Sequence, residues 1–89
     1  MNYRKTLTVL WALLTAGTLG AAELEGSIES VNLDRKSFVV EGITFFVTET
    51  TEFAGGLEGF IDLVRGLEVE VDFEFENGRH VATAIEPGD

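Results

Sequence analysis

Apolar side chains recur along this chain at two different periods, and each change of period marks a change of element. From Leu67 to Gly78, "LEVEVDFEFENG", the residues Leu67, Val69, Val71, Phe73 and Phe75 alternate with Glu68, Glu70, Asp72, Glu74 and Glu76. Alternation at every second position predicts a strand with one buried and one wet face. "RHVATAIE" continues as a last strand, and Pro87, which has no N–H to pair, closes it. Upstream, "ELEGSIESVN" predicts a first strand over Glu23–Asn32. The step from Ile28 to Val31 breaks the period of two, which predicts a bulge near Glu29 and Ser30. After the polar turn "LDRKS", the stretch "SFVVEGITFFVT" predicts two strands bent at Glu41-Gly42. "TETTEFAGG" reads as an irregular crossing segment. In "LEGFIDLVRG", Leu57, Phe60, Ile61 and Val64 recur at helical spacing and Gly66 is a stop, so a helix of about two turns is expected there.

Three strands, a short helix and two strands are the plan of the OB-fold, a small, partly open five-stranded barrel. The expected architecture is therefore all-β and antiparallel, with the helix between the third and fourth strands. An SH3-like barrel has similar strand content, but the helix placement favours the OB plan.

The register of the last hairpin decides what the acidic row faces. A two-residue Asn77-Gly78 loop pairs Phe73 with Ala82 and Val71 with Ala84, leaving Val81 and Ile85 outside. A three-residue loop, Glu76-Asn77-Gly78, pairs Phe73 with Val81, Val71 with Thr83 and Val69 with Ile85. Burying Val81 and Ile85 contributes roughly 3–5 kcal/mol, so the three-residue loop is expected. Glu70, Asp72 and Glu74 then lie outside, over Ala84, Ala82 and His80.

Charge and the N-terminal residues restrict where the chain works. Arg4 and Lys5 precede an apolar run from Leu7 to Leu19, too short to span a bilayer comfortably, and small residues stand at Gly20 and Ala22. That pattern predicts a signal peptide over residues 1–22, a domain over residues 23–89, and a periplasmic or secreted location without a stable membrane anchor after cleavage. All 16 acidic residues lie at or after Glu23, against Arg35, Lys36, Arg65 and Arg79, a net charge of −12. Such a field repels phosphate backbones and anionic lipid, and it attracts cations or basic partners. With no cysteine, neither disulfides nor thiolate zinc sites are available. No nucleophile and base stand in a recognisable motif, so neither catalytic residues nor a cofactor is expected, and the chain is read as not an enzyme.

The candidate contact residues are few. Carboxylates two apart on a strand lie about 7 Å from each other, too far for neighbours to clasp one small ion. The acidic row Glu70, Asp72 and Glu74 is then a solvated face that discourages edge-to-edge association, or a contact for a basic peptide, and no metal site is expected. His80, the one histidine, faces Glu74 in the expected register. It is either a surface residue at a hairpin end or a pH-sensitive contact. Phe45 and Phe46 point to opposite faces of one strand. Phe46 is either covered or an exposed docking point on the face OB-folds use for ligands.

Several segments also resemble the bacterial DUF5666 family, an exported domain of unknown function. They are Gly26-Ser27-Ile28-Glu29-Ser30-Val31, Phe38-Val39-Val40 with Gly42, Thr51-Glu52-Phe53, Gly66-Leu67-Glu68-Val69-Glu70-Val71, and Asn77-Gly78 through Val81-Ala82-Thr83-Ala84-Ile85-Glu86. Leu67 departs from the acidic residue that the family pattern has after the turn glycine. The resemblance implies an OB-like barrel in the cell envelope and brings no catalytic residues with it. The function expected is a non-enzymatic exported binding module whose partner is an envelope protein or a basic peptide. The alternative is a weakly cation-binding acidic protein. N-terminal sequencing of the exported protein checks the leader. A start at or next to Glu23 is expected, and retention of residues 1–22 refutes the cut.

Overall fold

The structure, a computed structural model, describes residues 22–89. The expected leader, apart from Ala22, lies outside the described residues. Six strands follow one another: β1 (Ala22–Asn32), β2 (Ser37–Val40), β3 (Ile43–Phe46), β4 (Glu52–Phe53), β5 (Glu68–Glu76) and β6 (Arg79–Pro87). They form one sheet in the order β3-β2-β1-β5-β6-β4, and a β3–β6 pairing closes it into a barrel. Among the described residues, no helix is long and apolar enough to cross a membrane.

Strand β1 serves both halves of the barrel. Ala22–Ser27 pair with β5, and Ile28–Asn32 pair with β2. Gly26 marks the crossing, because a Cβ there would stand 2.9 Å from Val40 Cγ1. The bulge falls where the spacing predicts it. Ile28 pairs with Val40 and Ser30 with Val39, so Glu29 is the extra residue. The bend between β2 and β3 also falls as expected, with Glu41 and Gly42 both at positive φ.

Three expectations are corrected. The sheet is not purely antiparallel. Phe45 and Phe46 of β3 run parallel to His80 and Val81 of β6, and β4 runs parallel to Ala84 and Ile85. The two-turn helix is only a 3₁₀ turn, Phe60–Asp62. Leu57, Phe60 and Leu63 turn to the core, whereas Ile61 and Val64 are exposed. A repeat of three suits the tighter 3₁₀ geometry, and so short a segment between glycines cannot sustain an α-helix.

The hairpin register is the third correction. Asn77 and Gly78 alone form the loop, both at positive φ, as a type I′ turn requires. Phe73 pairs with Ala82, not Val81. A bulge at Thr83 then shifts the register, so Val71 meets Ile85 and Val69 meets Pro87. The bulge resolves the conflict posed by the sequence, because it lets a two-residue loop and a buried Ile85 coexist. Ala82 and Ile85 are both 1% exposed, and Val81 lies half-buried on the outer side.

The core unites Ile28, Phe38, Val40, Phe45, Leu63, Val69, Val71, Ala82 and Ile85. The segment from β3 to β4 is fastened to it by Thr51. This buried hydroxyl donates to the Ala82 carbonyl at 2.7 Å and accepts the Thr48 N–H at 2.9 Å. Thr51→Val keeps the shape but removes both bonds. A loss of about 1–2 kcal/mol is expected, seen as a fall in Tm of roughly 5–10 °C, while Thr51→Ser melts close to the parent.

Candidate functional site

The inward set of β5 fixes what its outward set must face. With Val71 opposite Leu24 on one side and Ile85 on the other, the residues between them are acids on all three strands. Glu23 pairs with Asp72 and Glu25 with Glu70 across β1–β5, and Glu70 pairs with Glu86 across β5–β6. Ala84 sits opposite Asp72, and beyond it β4 contributes Glu52. Directly opposed residues on paired strands stand about 4.5–5.5 Å apart, closer than neighbours along one strand. Carboxylate oxygens of Glu23, Glu70 and Asp72 accordingly come within 4.8 Å of one another. The small side chain of Ala84 leaves a hollow of about 160 Å³ beside Glu70, Asp72 and Glu86.

Crowding shows in the proton affinities. Partial burial, then the neighbouring charges of Asp72, Glu25 and Glu86, raise the Glu23 pKa above its ordinary 4.5. Burial, then Glu86, raise that of Asp72 above 3.8. One edge of the patch is tied down, since Glu25 Oε2 accepts the Asp89 N–H at 3.2 Å.

The candidate residues divide into two groups. Glu70 and Asp72 belong to the acidic patch. Glu74 lies farther along the same face, opposite Val81, which in turn neighbours Phe46 on β3. Phe46 is half-buried, and the Arg79 guanidinium lies 4.4 Å from the centre of its ring. His80 does not face Glu74. It pairs with Phe75 on the inner side of the hairpin, with ring centroids of Phe75, Phe73 and Phe45 at 5.0, 5.5 and 5.9 Å. The imidazole is therefore a packing element of an aromatic cluster.

Sequence reasoning missed Glu23, Glu25 and Glu86. The signal for Glu23 and Glu25 was present in "ELEG", whose acids alternate in step with those of β5, and it needed the β1–β5 pairing to be read, as Glu86 needed the bulged β5–β6 register. The expectation against a metal site considered neighbours on one strand only, and the third carboxylate comes from the adjacent strand.

A family model for a domain of unknown function, DUF5666, matches residues 25–86. The chain belongs to the DUF5666 family. Among solved structures, silver-bound CusF from Escherichia coli is 12% identical with a TM-score of 0.66, the alignment covering 82% of this chain and 98% of CusF. Apo-CusF from the same organism is 11% identical with a TM-score of 0.66, covering 86% and 98%. The fimbrial biogenesis protein PilY2 from Pseudomonas aeruginosa is 13% identical with a TM-score of 0.65, covering 78% and 88%. No curated protein matches the sequence. At such identities the likeness is one of fold, and this DUF5666 domain shares that fold with proteins of different description.

The raised acids set a pH dependence. The folded state of this DUF5666 domain holds protons on Glu23 and Asp72 more tightly than the unfolded chain does. Their contribution to stability is therefore fullest below their ordinary values and is lost as pH rises through the raised ones. Asp72→Asn should raise Tm at pH 7 by roughly 1–4 °C and flatten the rise in Tm seen on acidifying from pH 7 toward the carboxylate range. Thermal melts across that range check it.

Proposed function

We propose that this protein is a non-enzymatic, exported binding module that takes a cationic partner on the outer face of β1, β5 and β6. One observation carries the reading: five carboxylates are held in like-charge register across three strands, two of them with raised proton affinity. Like charges set directly opposite each other cost stability, and nothing in the packing of the barrel requires acids there. A Lys- or Arg-bearing segment laid across the strands removes that cost. The apolar leader and the family resemblance support export to the envelope, and PilY2, described as a fimbrial biogenesis protein, shares the fold.

The carboxylates lie on an outer face with one small hollow, and His80 is packed among phenyl rings away from them. No nucleophile meets a base there, which supports a binding role over catalysis.

A second reading follows from the Glu23–Glu70–Asp72 group, whose oxygens could share a divalent cation. Carboxylate oxygens suit hard ions such as calcium. One solved CusF structure carries Ag(I) and another Cu(II), and Ag(I), a soft ion, favours sulfur and imidazole donors. This chain has no cysteine, and its single methionine is Met1. Its one imidazole, His80, is packed among phenyl rings apart from the carboxylates, so the soft-ion chemistry does not transfer, and the carboxylate group suits weak binding of a hard cation instead.

Titration calorimetry with a lysine-rich peptide and, separately, with calcium tests both readings. The peptide should bind saturably at low salt, weaken about tenfold or more as salt screens the face, and fail to bind the Glu70→Lys, Asp72→Lys, Glu74→Lys triple variant. Peptide binding that survives the triple reversal overturns the first reading. Saturable calcium binding at one ion per chain supports the second, and a featureless calcium titration removes it.

A further inference from the structure

A second surface has the opposite character. Between the β1 bulge and the 3₁₀ turn with the residues that follow it runs a groove of about 500 Å³, with Val31 and Leu33 on one bank and Ile61 and Val64 on the other. Leu63, 3% exposed, is its most buried lining residue. Ile61 is 77% exposed, Leu33 62% and Val64 54%, three of the four large hydrophobics exposed among the described residues. On a domain this small, such a concentration marks a contact surface.

Charge identifies the occupant. Residues 29–36 and 60–65, which build the two banks, carry Glu29, Asp34 and Asp62 against Arg35, Lys36 and Arg65, a net of zero. The whole −12 of the chain from Glu23 onward therefore resides elsewhere. A basic partner is drawn to the acidic face and gains nothing at this one. Two copies of the chain, by contrast, repel each other through their acidic faces and meet without net repulsion through a neutral patch such as this one. The groove also carries one residue of each sign, Glu29 and Arg65, both exposed. Under a two-fold rotation, Arg65 of each protomer can stand against Glu29 of its partner, twice over, with Ile61 of each entering the other's groove.

We propose that this groove is a self-association surface through which two copies form a two-fold dimer, centred on Ile61, Val64 and Leu33 and registered by reciprocal Glu29–Arg65 pairs. The acidic faces remain free in the dimer. A stable interface of standard size needs about 800 Å² from each partner. The domain is only 34 × 32 × 22 Å, so the groove and its rim make a contact at the small, weak end of that scale. Salt gives this dimer a signature opposite to that of the acidic face. Screening weakens the attraction of the acids for a basic peptide, whereas it relieves the repulsion between two negatively charged bodies meeting through a neutral patch.

Sedimentation velocity decides the matter, using the chain expressed with its own N-terminal segment and purified as the cell leaves it. A two-copy species should form and its association constant should rise several-fold between about 50 mM and about 500 mM salt. Ile61→Glu should lower that constant at least tenfold without altering the circular dichroism spectrum. Glu29→Arg and Arg65→Glu should each weaken the dimer, and the double exchange should restore it. A monomer at both salt concentrations overturns the proposal, as does association that survives Ile61→Glu, which would implicate the N-terminal apolar run. A double exchange no better than the singles, open-ended assemblies, or binding of the monomer to uncharged lipid vesicles overturns it equally. Peptide binding by the acidic face can fail or succeed independently of all these outcomes.

Discussion

Closure of the barrel around a few inward side chains is the constraint on which everything else rests. No disulfide staples the chain, and so small a domain buries only about 60% of its unfolded surface, so each inward residue carries a large share of the stability. Two of the strands present apolar residues three apart, Ile28 with Val31 and Ala82 with Ile85, and a regular strand cannot turn both members of such a pair inward. The structure solves the problem twice in the same way. One extra residue, Glu29 in β1 and Thr83 in β6, is pushed out of the ladder so that both members of the pair reach the interior.

The outer face inherits its arrangement from that solution. Once Leu24, Val71 and Ile85 align inside, Glu23 has to oppose Asp72, and Glu70 has to lie between Glu25 and Glu86. The register is set by the core, and the like-charge contacts follow from it. Alternating in sign, the same positions would add a few tenths of a kcal/mol per pair. Sequences normally agree with their folds at every level, and a local disagreement of this kind is where a function is to be sought.

Legibility in the sequence followed the locality of the signal. The β1 bulge, the Glu41-Gly42 turn and the succession of β1, β2, β3, β5 and β6 along the chain were readable because each depends on a few neighbouring residues. The last hairpin was ambiguous, since Val81, Thr83 and Ile85 make one consistent inward set and His80, Ala82 and Ile85 make another once a bulge is admitted. The helix failed because Leu57, Phe60, Ile61 and Val64 match a helical period while the core selects Leu57, Phe60 and Leu63 instead. Strand β4 was hidden in the polar stretch around Thr51, whose anchoring to the Ala82 carbonyl is a tertiary contact. For the site, Glu70 and Asp72 were visible along one strand, but their partners came from β1 and β6, across pairings that only the closed barrel creates.

The seam that closes the barrel also constrains the route by which the chain folds. The β2–β3 and β5–β6 hairpins join neighbours in sequence and can form early. Phe45 and His80, 35 positions apart, can meet only after both exist and β1 has bridged them. A parallel joint of two residue pairs offers little reward until that moment, so the entropy of the intervening loop is spent before the seam contributes. The domain should thus acquire its two halves quickly and its enclosed interior last.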